Sequence, residues 1–358
     1  MIIIVGAGLS GLVTGYRLKL AKIPFKILES KDKIGGRIIT KITDNDTPIE
    51  MGATWFGNQH QNLIKLLNEL EIAAFPQFQG QFYYYDDQNS PHHGKYKFPQ
   101  QEPSYRIAGG SVRLINKLLE EIGDNNILTK HKVEGIKRLD EKLVLKINNK
   151  ENIEADQVII ALAPKIWVHQ IQFDPQLPKE LTEIAKNTQT WMEDSIKAAV
   201  EFKTPFWRED QHPSTIMSNY GPFVECYDHS NQQESKFALC GFLNPAFKEI
   251  EKEERERLVL QQLSTILGEK ALDALSYHEY VWSEDDLVKW PKDIFMPPHQ
   301  NNGHPIFRKL IFNHQLIISS SESASRYPGY MDGAVEAGEN AFKQVFEKIQ
   351  SEQNQQLN

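Results

Sequence analysis

Four apolar residues, Ile2-Ile3-Ile4-Val5, run straight into Gly6-Ala7-Gly8-Leu9-Ser10-Gly11, and this junction constrains the fold more than any other feature of the chain. A short, continuously apolar run reads as a strand covered on both faces. A helix follows from Leu12 to Ala21, with Leu12, Tyr16 and Leu20 on one face. A second apolar run, Phe25 to Leu28, ends at Glu29, which stands 18 residues beyond Gly11. Strand, glycine turn, helix and strand make one βαβ unit. Gly6 permits the tight turn, Gly8 lets the backbone approach a pyrophosphate, and Gly11 lets helix and strand pack closely. The amides that open the helix, at Leu9 and Ser10, offer unsatisfied donors and the positive end of the dipole to phosphate. Glu29, followed by Ser30, sits where a carboxylate accepts ribose hydroxyls, and its charge opposes a 2′-phosphate, which argues against NADP. Dinucleotide binding is therefore expected. NAD and FAD share this unit, so it does not by itself separate them.

The remainder of the chain narrows the class by exclusion. A length of 358 residues makes room for about two domains. Hydrophobic residues at 40% and charged residues at 25% exclude a disordered or fibrous chain. Lys and Arg total 40 against 48 Asp and Glu, a net charge of −8, and no basic run is present. No nucleic-acid partner is expected. Cys226 and Cys240 are too few for a disulfide framework or a Cys-rich zinc site and read as buried thiols. No segment reaches the roughly 18 apolar residues that span a bilayer, and Met1 to Val5 leaves no room for a signal-peptide core before Gly6. A cytoplasmic protein without membrane attachment is expected. Its 11 histidines show no ligand spacing, and His92-His93 falls in a polar turn, so no metal is expected. Ser319 to Ser321 lacks the glycines of a nucleophile elbow.

Further strands are expected at Phe82 to Tyr85, Leu143 to Ile147, Val158 to Leu162 and Ser195 to Phe202. Glu249 to Leu267 reads as a charged helix with an apolar stripe of Leu258, Leu260, Leu263 and Leu267, its charges forming a solvated face. A final helix is expected from Gly333 to Ile349, with a frayed tail from Gln350 to Asn358.

Three further blocks decide between the nucleotides. Gly35-Gly36-Arg37-Ile38 follows the ribose acid, Glu50-Met51-Gly52-Ala53-Thr54-Trp55-Phe56 comes next, and Glu322 to Gly338 carries Arg326-Tyr327-Pro328-Gly329-Tyr330-Met331-Asp332-Gly333-Ala334. In this order they resemble the flavin-containing amine oxidase family, the monoamine oxidase-like branch of FAD-dependent oxidoreductases. The resemblance implies an α/β fold: a Rossmann-type FAD-binding domain with a smaller inserted α+β substrate domain. The division it suggests is 1–70, 106–192 and 299–350 for FAD, 71–105 and 193–298 for substrate, and 351–358 as a flexible tail. It implies that Arg37, beside Gly36, pairs with the pyrophosphate. Gly52, Ala53, Thr54 and Trp55 would pass beside the flavin ring, and Val133 would read adenine through its backbone, although a plain strand valine explains that residue equally well. Glu322 would hold the ribityl chain, and Met331 and Ala334 would open the helix that faces the flavin pyrimidine. Lys197, in Asp194-Ser195-Ile196-Lys197, resembles the family lysine that holds a water at flavin N5 and favours oxygen reduction. An exposed strand lysine is its alternative reading.

The chain also departs from the family. Ser319-Ser320-Ser321 replaces the usual Phe-Ala-Gly before the C-terminal acid. The cysteine that carries covalent FAD in monoamine oxidases aligns with Pro291, so non-covalent FAD is expected. Lys292 aligns with one of two substrate-sandwiching tyrosines; Tyr330 keeps the other, and Trp290 could supply the missing face. About fifty residues separate Trp55 from Gly109-Gly110, which suggests a trimmed substrate domain. The expected activity is oxidation of an amine or amino-acid-like C–N bond, with O2 as acceptor and H2O2 as product. A desaturase-like or renalase-like oxidation of a C–C bond or cyclic dihydro compound is the alternative. A flavin kept only as a structural staple is a third reading. The substrate's identity and the oligomeric state are open.

Overall fold

The computed structural model describes residues 1–87, 94–99, 102–209, 212–292 and 294–356. The His92-His93 turn and the end of the tail lie outside them.

The opening βαβ unit forms as its sequence requires. Ile2–Val5 is a wholly buried strand at the centre of a five-stranded parallel sheet. The order runs Leu316–Ile318, Gln157–Ile160, Ile2–Val5, Phe25–Leu28, Ile127–Leu128, so the last strand of the chain lies two places from the first. Helix α1 (Leu9–Leu20) crosses between the first two strands. It ends in a tight reversal: Lys22 adopts φ 57°, its amide bonds to the Lys19 carbonyl, and the Ile23 amide reaches back to that of Leu18. This paired closure satisfies the last carbonyls of the helix and returns the chain to Phe25.

All these strands run in one direction, so Gly6, Glu29 and Ser319 emerge at the same edge of the sheet, where ligands of such folds bind. Helix α2 (Met331–Gln356) packs along α1 with very little clearance. A Cβ on Gly338 would lie 2.7 Å from the Ser10 carbonyl oxygen and 2.8 Å from the Val13 Cβ. Thr14 Oγ1 donates to the Gly338 carbonyl at 3.2 Å. Chain ends more than three hundred residues apart thus share one packed layer. The helix also runs beyond Ile349, into the segment expected to be a flexible tail, down to Gln356. Lys348 and Glu352, 3.7 Å apart, supply an i,i+4 pair there.

A four-stranded sheet containing Val133–Leu139 covers one flank of the parallel sheet. The third large sheet has seven strands, drawn from Phe82–Asp86, Gly94–Lys97 and five strands between Ile196 and Val281. Its strand Ile196–Phe202 is buried at every position. Ile196, Ala198, Val200 and Phe202 enter the core beneath the charged helix at Lys252–Leu267, whereas Ala199 faces Ile49, Met51 and Cys240. By alternation, Lys197 and Glu201 share the Ala199 face.

The charged helix differs from its expected stripe. Val259, Leu263 and Leu267 are buried together with Arg255 and Gln262, while Leu258 and Leu260 are only half-buried. Arg255 does not belong to the solvated face: it is 6% exposed and pairs with Glu279 at 2.5 Å. Cys226 and Cys240 are buried free thiols.

Candidate functional site

The nucleotide end is built around backbone. Gly8 precedes α1 in an extended conformation, and no side chain caps the helix, so its opening amides point into the cleft without a side-chain acceptor. Gly36, at φ 59°, abuts Gly8: a Cβ on it would lie 3.2 Å from the Gly8 Cα. Glu29 is buried, and its carboxylate accepts from the Ala7 and Lys31 amides at 2.9 Å each and from Ser30 Oγ at 3.3 Å. These bonds fix its direction and leave lone pairs for further donors. Beside it lies a narrow cavity of about 30 Å³, lined by Gly6, Glu29, Ser30 and Val133 among others. The ladder shifts register between Val133 and Gly135, so the backbone is irregular where it meets that cavity. The residues present fit a dinucleotide at both its ribose and its phosphates.

Sequence-distant blocks meet at Arg37. Its guanidinium lies 2.7 Å from buried Glu322, donates to Ser321 Oγ at 2.8 Å and reaches the Trp191 carbonyl at 3.2 Å. Burial pushes the Glu322 carboxyl up, but the Arg37 charge and hydrogen bond outweigh it and hold the group below the usual carboxylate range. Arg37 is thus held by a fully buried partner. The serine departure is also accommodated: Ser10 Oγ donates to the Ser319 carbonyl at 2.6 Å, tying α1 to the end of the last strand. Met331 is the first residue of α2, so its amide has no acceptor within the helix, whereas the Ala334 amide is bonded to Tyr330 O at 3.0 Å.

Lys197 is 1% exposed, which removes the exposed-strand alternative. Its Nζ donates to the Gly52 carbonyl at 2.6 Å and to Thr54 Oγ1, and it stands 4.5 Å from the Trp55 ring centre and 5.3 Å from that of Phe242. Burial lowers its pKa, with Arg106 acting in the same direction and Cys240 and Glu50 opposing. Gly52 is small for a reason the sequence did not suggest: its Cβ would lie 2.2 Å from the Arg37 carbonyl oxygen. The Ala53 amide bonds that same oxygen at 3.0 Å.

A cavity of about 330 Å³ opens beside Trp55 and Phe242. Phe78, Phe98 and Tyr227 add aromatic wall, and Glu102 and Glu225 add two carboxylates; no Lys, Arg or His lines it among the described residues. Glu225 accepts from Tyr227 Oη at 3.0 Å and Glu102 from Asn58 at 3.2 Å. Neither has a cationic partner among the described residues.

Tyr330 gathers rings that sequence reasoning missed. Trp191 lies 5.6 Å away, His60 5.6 Å, and His299 6.2 Å, with Trp191 and His299 themselves stacked at 3.8 Å. The Trp191 loop is held from behind by Lys165 and Glu193, a fully buried pair. A lone tryptophan in a polar stretch carries no periodicity, so nothing in the sequence marks it. Arg106 was missed likewise: burial lowers its pKa to about 10, and its guanidinium donates to the Ser230 carbonyl. Trp290 and Lys292 stand apart from this cluster. Trp290 is 40% exposed and Lys292 pairs outward with Asp286 at 2.9 Å. No described ring contact joins Trp290 to Tyr330.

Comparisons with known proteins place the chain in a family and a fold. A family model described as flavin containing amine oxidoreductase matches residues 9–103 and 92–345. Probable flavin-containing monoamine oxidase A of Dictyostelium discoideum is 23% identical over 456 aligned positions, spanning 97% of this chain and 98% of that one. That alignment is longer than the chain itself, so it passes over segments the chain does not have. Human flavin-containing amine oxidase B is 27% identical over 248 residues, which covers 67% of this chain and 46% of the human protein. Among solved structures, cyclohexylamine oxidase from Brevibacterium oxydans IH-35A superposes with a TM-score of 0.85 at 18% identity, covering 98% of this chain and 99% of that one. Putrescine oxidase with putrescine bound gives 0.82 at 20% identity, over 96% and 98% of the two chains. These structural matches share the fold.

Proposed function

The chain belongs to the flavin-containing amine oxidoreductase family and is FAD-dependent, and from that premise we propose that it oxidises the C–N bond of a small amine. The observation that carries this reading is the buried Lys197, held between Gly52 O and Thr54 and set against Trp55 and Phe242, two rings that wall the aromatic cavity. FAD, when bound, supplies the two-electron acceptor for the substrate and passes the electrons on to oxygen. The chain's own residues divide the remaining work. Gly8 and the α1 amides would take the pyrophosphate, Glu29 the adenosine ribose, Arg37 with Glu322 the central chain, and the α2 N-terminus the flavin's pyrimidine edge. Trp55, Tyr227 and Phe242 exclude water from the cavity, and Lys197 places a fixed positive charge where oxygen is reduced. Tyr330, with Trp191 and His299, supplies ring faces that favour an approaching amine. We assign FAD to segments 1–70, 106–192 and 299–350, and the substrate domain to 71–105 and 193–298, with Trp55 reaching the cavity from the FAD segments. Lys292 would support C–C chemistry only from within the substrate wall, and its outward pair with Asp286 leaves the C–N reading ahead.

The cavity's two carboxylates favour a substrate with a second positive charge. The putrescine-bound neighbour offers a precedent in the same fold. A short diamine is expected to bleach the flavin anaerobically at lower concentration than the monoamine of equal length. Glu225→Gln is expected to raise the diamine KM by about tenfold, with a smaller effect on the monoamine. Reduction by dithionite but by no amine tested would overturn the C–N reading.

We also propose that the FAD is non-covalent, since Pro291 stands at the aligned attachment point and the thiols of Cys226 and Cys240 are enclosed in the seven-stranded sheet. Acid precipitation is expected to leave the yellow colour in the supernatant; colour in the pellet would refute it. No helix among the described residues is long and apolar enough to cross a membrane. We retain a cytoplasmic location, with O2 as acceptor, as part of the proposal.

A further inference from the structure

We propose that residues 285–289 form a latched strap over the adenosine end of the FAD site and that Leu287 is a nucleotide-contacting residue. The proposal rests on FAD being the cofactor. The strap leaves the seven-stranded sheet at Trp282, whose indole donates to the Met51 carbonyl at 3.0 Å. It then crosses to the nucleotide domain instead of continuing toward Tyr330. Leu287 lines the same narrow cavity as Gly6, Glu29 and Val133. Residues 282–292 contribute no other side chain to that cavity.

Four contacts hold the strap down. Asp285, 7% exposed at its side chain, pairs with Lys31 at 2.5 Å, and Lys31 follows Glu29 so closely that its own amide binds the Glu29 carboxylate. Tyr280 Oη donates to the same Asp285 oxygen at 3.0 Å. Gln170, another residue lining the cavity, donates its side-chain amide to the Asp286 carbonyl at 2.8 Å. At the far end, buried Lys289 pairs with Asp194. The strap is stiff within itself, because Asp285 also turns the chain: its Oδ1 accepts from the Leu287 amide at 3.0 Å, and its carbonyl accepts from Val288 and Lys289 at 2.9 Å each. One carboxylate therefore sets both the turn that aims Leu287 and the latch that holds it.

A space of about 30 Å³ admits roughly two water molecules by the usual measure, less than a purine needs. In this proposal Leu287 and its strap are the part of the lining that yields as the nucleotide enters and closes behind it. This retains a cofactor that has no covalent tether.

The test follows the cofactor directly. FAD release from the purified holoprotein is read by recovery of free-flavin fluorescence, and binding of ADP to the stripped protein is read by calorimetry. Asp285→Asn and Leu287→Ala are each expected to release FAD about fivefold faster and to weaken ADP binding by a similar factor. Asp285→Asn keeps the side chain's size, so a folding failure is not expected there. Unchanged release and ADP affinity in both variants would overturn the strap, as would faster FAD release with unchanged ADP affinity. If the wild-type chain takes up no FAD, the cofactor reading itself has failed, which is a separate result.

Discussion

Air re-oxidation of the reduced protein is expected to slow by at least about a hundredfold when Lys197 is replaced by methionine. The effect should be this large because, among the described residues, no other cation bonds Gly52 O or Thr54 Oγ1. Its ammonium sits in a dry pocket, bonded to Gly52 O and Thr54 and flanked by two aromatic rings, so its charge acts on the reacting oxygen with little screening. Methionine fills the space without the charge. The variant also leaves the Thr54 hydroxyl oxygen without a donor, while Gly52 O keeps the Thr54 hydroxyl at 3.0 Å; the cost is about 1–3 kcal/mol, so FAD content and melting temperature must be measured alongside. Full FAD content with unchanged re-oxidation would disprove the role.

The pH profile separates chemistry from stability. Burial, reinforced by Arg106, sets the folded pKa of Lys197 below its ordinary value of 10.5. Re-oxidation should therefore fall on a limb that lies below that value, and Lys197→Met should lack the limb. Stability moves the other way. Between the folded pKa and the unfolded one, the unfolded chain binds more protons, so this group's contribution to stability rises with pH. A rate that falls while stability rises cannot be mistaken for unfolding.

What could be read in advance follows the range of the interactions involved. The βαβ unit was legible because its determinants are local: a buried strand, glycines at fixed offsets and an acid at the end of the next strand. The lysine position was legible through its neighbours Ile196 and Phe202, but its burial was not, since that depends on Gly52 and Thr54 arriving from the far side of the chain. Arg37 and Glu322 were each assigned to the cofactor, and their direct pairing is a tertiary fact without a sequence signal. Trp290 and Lys292 show the opposite case. Gapless matching placed them in the substrate wall, whereas the segment around them runs toward Lys31 and Gln170. The charged helix illustrates a further limit: periodicity cannot anticipate Arg255 turning inward, because Glu279 on a separate strand supplies the counter-charge.

The two innermost glycines of the opening turn are expected to fail in different ways, and the difference tests the whole nucleotide site. An added Cβ at Gly11 would lie 2.1 Å from the Gly6 carbonyl oxygen and 3.2 Å from the Ala161 Cβ. The first of these neighbours is backbone within the turn itself, and it cannot move without opening the βα junction. Gly11→Ala should therefore cost the fold more than about 3 kcal/mol and lose FAD as a consequence. At Gly8 the nearest atom to an added Cβ is the Gly36 Cα at 4.0 Å, an ordinary contact. Its φ of −76° and ψ of 176° suit any residue. Gly8→Ala should leave the melting temperature of the cofactor-free protein nearly unchanged while weakening FAD by more than about a hundredfold, since the only thing that needs the space is the pyrophosphate. Thermal unfolding of the stripped proteins and FAD titration by fluorescence quenching measure the two effects separately. Wild-type FAD affinity in Gly8→Ala would mean that the diphosphate does not pass this turn, and the assignments of Glu29, Val133 and Leu287 to the adenosine would fall with it.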